Sequence, residues 1–99
     1  MSKVYNTYTQ FVDAAAGDTQ LHTDPGYILG IIVTCNTTNQ TIVFTDTSGV
    51  GGDTLLKIDI RSTTTTPVFL NFDNRTKIRF DNGLKVNPAD ARVFVITEV

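Results

Sequence analysis

The 99-residue chain has one cysteine, one histidine and no tryptophan. Cys35 alone cannot close an intrachain disulfide, so no covalent staple supports the fold. With a single thiol and a single imidazole, His22, there are few ways to pair a nucleophile with a base. Nothing in the sequence brings these two together. Basic residues are also scarce: eight Lys and Arg stand against ten Asp and Glu, for a net charge of -2. They form no cluster, which disfavours a nucleic-acid partner held through its phosphates. Long apolar runs are missing, and none approaches the roughly 20 residues of a spanning helix. The N-terminal MSKVYNTYTQ is polar and lacks the apolar h-region of a signal peptide. The expectation is a protein made and kept in a reducing cytoplasm, unless it leaves inside a larger assembly.

What the chain does have is strands. Hydrophobic residues at 40% and charged residues at 18% place it among globular rather than disordered chains. At this length roughly 60–70% of the unfolded surface is buried on folding, enough for one small core. From Gly30 onward the segments GIIVTC, TIVFT, LLKIDI, PVFLNF, KIRF, LKV and RVFVITEV follow one another with polar turns between them. In Leu55–Arg61 the alternation is clean, with Leu56, Ile58 and Ile60 facing in and Lys57, Asp59 and Arg61 facing out. Tyr27–Cys35 is apolar on both faces, which predicts a central strand covered on both sides, and Arg92–Val99 is also apolar on both faces. Gly30 inside the first of these marks a bulge or a close backbone approach.

Turn chemistry punctuates the rest. Asp24-Pro25-Gly26, Asp73-Asn74-Arg75 and Asn87-Pro88-Ala89-Asp90 read as turns. Asn36–Asn39 reads as a hairpin loop, Asp46–Asp53 as a Gly-rich loop and Asp81-Asn82-Gly83 as a tight hairpin. The threonine run Ser62–Thr66, ahead of Pro67, suits a crossover between strands. Thr19–Thr23 reads as a short strand with Leu21 on one side and Gln20 and His22 on the other. Phe11–Ala16 reads as a loop, with one helical turn as the alternative, and Met1–Gln10 as a first strand or an extended arm. The sum is an all-β chain of about eight short strands in one domain over residues 1–99. It predicts an antiparallel β-sandwich, with the jelly roll as a candidate arrangement.

No motif declares a chemistry. Asn36-Thr37-Thr38, Asn39-Gln40-Thr41 and Asn74-Arg75-Thr76 match the glycosylation pattern, but a cytoplasmic chain would not meet that machinery. The loop Ser48–Asp53 lacks the Gly-Lys-Ser/Thr ending of a phosphate loop, and no helix pattern follows it. The aspartates fall mostly in turns (Asp24, Asp46, Asp53, Asp73, Asp81, Asp90), where carboxylates satisfy local amides. A calcium site built from two such loops is conceivable, although the spacing matches no EF-hand. Cys35 reads as a small buried hydrophobe, and the phenylalanines as core. Tyr5, Tyr8 and Tyr27 sit in or beside the less regular N-terminal third, where tyrosine suits either intrachain packing or a partner interface. No catalytic, cofactor-binding or metal-binding residue is therefore assigned, and an enzyme is not expected.

From Tyr27 onward the chain resembles small all-β virion proteins of tailed bacteriophages, of the head decoration or cement type. The resemblance is carried by GIIVTCNTTNQTIVFTDTSG, TLLKIDI, the Asn-Gly segment KIRFDNGLKV and the closing RVFVITEV. The stretch from Tyr27 onward that contains them makes up about three quarters of the chain. The resemblance implies a structural role in the virion: copies bound to the major capsid protein across subunit seams, with the arm Met1–Gln10 and exposed loops as contacts. It transfers no site residues. A homo-oligomer follows from the usual closed symmetry, and a trimer would suit three-fold shell positions. A tail, neck or fibre adaptor is the alternative within the virion. A small carbohydrate-binding module is the alternative outside it, and it would need exposed aromatics forming a platform.

Overall fold

The computed structural model describes residues 6–13, 16–35, 40–61 and 64–99, of which 64–66 by backbone only. Tyr5 and the first half of the arm Met1–Gln10 lie outside the described residues, as do Ala14, Ala15, the loop Asn36–Asn39, Ser62 and Thr63. Nine strands follow in order: β1 Thr7–Val12, β2 Thr19–His22, β3 Gly26–Cys35, β4 Gln40–Asp46, β5 Asp53–Ile60, β6 Thr64–Asn71, β7 Ile78–Phe80, β8 Leu84–Asn87 and β9 Ala91–Glu98.

They form two antiparallel sheets. The first runs β1-β9-β3-β6, with β7 continuing the β6 edge alongside the start of β3. The second runs β2-β8-β4-β5. The pairings are nested: β4 with β5, β3 with β6 and β7, β2 with β8, and β1 with β9. The chain is thus one long hairpin folded back on itself and rolled, so that β9 reaches β3 and β8 reaches β4. That is the jelly-roll arrangement, and the expected β-sandwich is what forms.

Alternation explains the core. Val12, Ile28, Ile31, Val33, Val93 and Val95 point inward from the first sheet, and Ile42, Phe44, Ile60, Leu84 and Val86 from the second. Together they form one apolar cluster, with Phe80 at its end. Pro67 is tolerated inside β6 because β6 is an edge strand, where a missing N–H need not break a ladder.

Five expectations need correction. First, β1 extends through Phe11 and Val12, which the sequence assigns to a loop. Second, Thr64–Thr66 belong to β6 rather than to a crossover, because β-branched residues hold extended backbone readily. Third, Asp81-Asn82-Gly83 closes no hairpin: β7 pairs with β3 in one sheet, and β8 pairs with β2 and β4 in the other. The turn instead carries the chain across the sandwich. It is held by Asp46, whose Oδ2 accepts the Asp81 amide at 3.0 Å and whose Oδ1 accepts the Asn82 amide at 2.8 Å.

Fourth, the register of β2 shifts between Gln20 and His22. The bulge turns His22 inward, to pair with buried Leu84, while Leu21 also packs on the core. Fifth, β3 is central but not covered on both sides. Its burial alternates between buried and half-buried, because among the described residues no layer lies over the outer face of the first sheet.

Candidate functional site

That outer face is where the apolar residues left over from the core emerge. The register aligns Phe11 with Phe94, Phe94 with Ile32, and Ile32 with Phe69. One continuous apolar row therefore crosses β1, β9, β3 and β6. The next row along, Val12, Val93, Val33 and Val68, points into the sandwich, so the phenylalanine row points away from it. Phe69 is 60% exposed, Phe11 49% and Phe94 41%. The rings of Phe11 and Phe94 lie 4.8 Å apart at 37°, within the offset geometry that aromatic pairs favour. Three of the six phenylalanines are thus on the surface, where the sequence reading placed them in the core.

Toward one end the face becomes polar. Ile96 and Gly30 lie beside Thr9 and Asn71 in the next outward row, and Glu98, Tyr27 and Arg79 follow in the one after. The Lys77 ammonium sits 4.0 Å above the Tyr27 ring and 3.7 Å from Glu98. Arg79 donates to the Tyr27 hydroxyl at 3.0 Å and to Asp81 at 2.7 Å. Tyr27 is therefore packed within the chain.

The remaining candidates are scattered. His22 lies between the sheets: its ring stacks on Phe80 at 5.9 Å, meets Tyr8 at 5.5 Å, and places Nε2 2.7 Å from Thr97 Oγ1. Cys35 is buried at the far end, where it pairs with Ala91 while His22 touches Thr97. Six residues of β9 separate those two points, roughly 20 Å. Thiol and imidazole are not brought together. Of the turn aspartates, Asp73 acts on its own turn, accepting the Arg75 and Thr76 amides at 2.7 and 3.0 Å. Among the described residues no group of three or more potential ligands could hold a metal, and no cavity opens.

The sequence reading missed Gln20. Its Nε2 lies 2.7 Å from His22 O, 2.6 Å from Thr47 O and 3.2 Å from Leu84 O. One amide thereby ties β2, β8 and the loop after β4, a role that no local pattern around Gln20 announces.

Among the described residues four side chains have displaced titrations, His22 and Asp46 among them. Burial favours the neutral ring of His22 and holds its pKa below the ordinary value, against the opposing pull of Asp24. Partial burial would raise Asp46, but the amides of Asp81, Asn82 and Gly83 outweigh it and hold its pKa low. Because the folded-state pKa of His22 lies below the unfolded one, the unfolded chain binds more protons as the pH falls through about 6.5. The contribution of His22 is complete above that value and is lost on acidification toward the folded-state pKa. The thermal midpoint of the wild type should fall from about pH 7.5 to about 5.5, and that of His22→Gln should fall less. Parallel profiles would contradict this placement of His22.

No family model, curated protein or solved structure matches the chain.

Proposed function

We propose that this chain is a structural binding protein whose working surface is the outer face of the first sheet, and that its partner is a virion shell. The observation that carries the reading is the exposed row Phe11, Phe94, Ile32 and Phe69. Contiguous apolar surface of this kind marks interaction sites. The resemblance of the segments from Tyr27 onward to phage head decoration proteins supplies the partner. Jelly rolls also recur in capsid and lectin domains, so the fold alone leaves the function open.

Area decides how such a face would work. The exposed parts of the three phenylalanines amount to roughly 300 Å². A stable pairwise interface buries about 800 Å² per partner. The three rings alone supply less than half of such an interface, and neighbouring residues of the face must supply the rest. Linking two or more copies in one oligomer would let them engage repeated seams together and hold far more tightly than one copy alone. The combined variant Phe11→Ser with Phe94→Ser should lower the copies retained on purified particles by about tenfold or more. Its thermal midpoint should change little, because both rings are already half in water. Undiminished retention would remove this face from the proposal.

A carbohydrate platform is the second reading, favoured by the same exposed rings. The 37° tilt between Phe11 and Phe94 argues against a single flat surface for a sugar. Glycan-array binding by the isolated chain, abolished by Phe11→Ser, would favour this reading over the virion one.

A further inference from the structure

The sandwich has four outer edges, and they are not alike. Edge strands are open templates for another strand unless charge, proline, a bulge or shortness blunts them. β5 carries Asp53, Lys57 and Asp59 along its length. β6 contains Pro67, and β7, which continues that edge, has only three residues. β2 has four residues and a bulge. β1, TYTQFV, has six residues, no charge, no proline and an unbroken register with β9. No strand among the described residues pairs with its other side.

The hydrogen-bond phase of β1 shows which groups are on offer. Asn6 and Val99 exchange both backbone hydrogen bonds at 2.9 Å. In an antiparallel ladder such pairs recur at every second residue, so Tyr8, Gln10 and Val12 also bond inward to β9. The N–H and C=O groups of Thr7, Thr9 and Phe11 therefore point out of the sheet.

We infer that the free edge of β1 is an interface between two copies of this chain, joined as an antiparallel β1–β1 pair about a two-fold axis at Thr9. This register uses the whole strand. Thr9 faces Thr9, and Thr7 of each copy faces Phe11 of the other, which forms about six backbone hydrogen bonds. Tyr8 of each copy faces Gln10 of the other on the opposite side. Phe11 and Tyr8, 49% and 44% exposed, both gain cross-strand neighbours. A second copy is the occupant that fits because the edge is self-complementary: it is uncharged along its length, so the two-fold brings no like charges together. Antiparallel strand pairing imposes a two-fold axis, so the closed unit is a dimer rather than the three-fold form that shell positions would suit. The pairing joins the two outer faces into one surface of eight main strands.

Sedimentation equilibrium on the intact chain tests this. The wild type should be a monomer–dimer mixture whose dimer fraction rises with concentration. Thr9→Pro removes the central N–H of each copy and should be monomeric with little change in thermal midpoint, since proline is tolerated on an open edge. Thr9→Lys and Thr9→Glu should each dimerise less than wild type, and their equimolar mixture should recover the dimer, because opposite charges then face each other. A wild type that stays monomeric at all accessible concentrations overturns the inference. So does a trimer, a dimer that survives Thr9→Pro, or a charge-swapped mixture that gains nothing. Should Thr9→Pro fail to fold, the charge-swap pair decides alone.

Discussion

Phe80→Ala is expected to destabilise the protein by about 3–5 kcal/mol, measured by chemical denaturation. Phe80 is fully buried and ends β7, where its ring stacks on His22. It also presses on Gly26: a Cβ built there would meet the Phe80 ring tip at 2.9 Å and the Glu98 carbonyl at 2.5 Å. The site is therefore walled in part by strand backbone from β3 and by the imidazole from β2. Walls of that kind collapse poorly into a void, which places the cost toward the upper part of the range for large-to-small changes. Set against a typical total of 5–15 kcal/mol, the loss is a large fraction of the whole. A change below about 1 kcal/mol would mean that the two sheets do not close around this ring.

Gly83→Ala is expected to cost at least about 2 kcal/mol, from backbone strain and overpacking together. Gly83 has φ +152°, a region that residues with a Cβ rarely occupy. A Cβ there would lie 2.5 Å from the His22 carbonyl and 2.6 Å from the Thr47 carbonyl. Both are backbone atoms, and both are held in place by the Gln20 amide. Relief would require β2 or the loop after β4 to move, and with it the crossing between sheets. Gly49→Ala is the internal control, because nothing lies within 4 Å of its added Cβ. The thermal midpoint of Gly83→Ala should drop by about 8 °C or more, at roughly 4–8 °C per kcal/mol for a chain of this size, while Gly49→Ala stays near wild type. Equal shifts in the two variants would contradict the packing around Gly83.

The strands were legible in the sequence because period-two alternation and turn residues are local signals. Ile42 and Phe44, or Leu56, Ile58 and Ile60, show their inward face without reference to any partner. Partner choice was not legible. Asp-Asn-Gly is locally the same whether the next strand pairs back or crosses to the other sheet, and the deciding group is Asp46, 35 residues earlier in the chain. Nor was the bulge that turns His22 inward, since it depends on the register between β2 and β8.

The candidate face was half visible. Ile32 makes β3 apolar on both sides, which reads as double coverage, and Phe94 and Ile96 leave β9 apolar on both sides as well. The same pattern arises when a sheet keeps one face apolar for a partner, and only the strand order separates the two cases. The exposed row also needs Phe11 and Phe69 to align across four strands that are distant in sequence, which no single segment reveals.

The ratio of this chain to the major shell protein in particles purified from its source tests the central claim most directly. A ratio of the same order as the shell subunit itself is the predicted result. A few copies per particle would move the protein to the neck or tail, and its absence from particles would contradict the virion reading altogether.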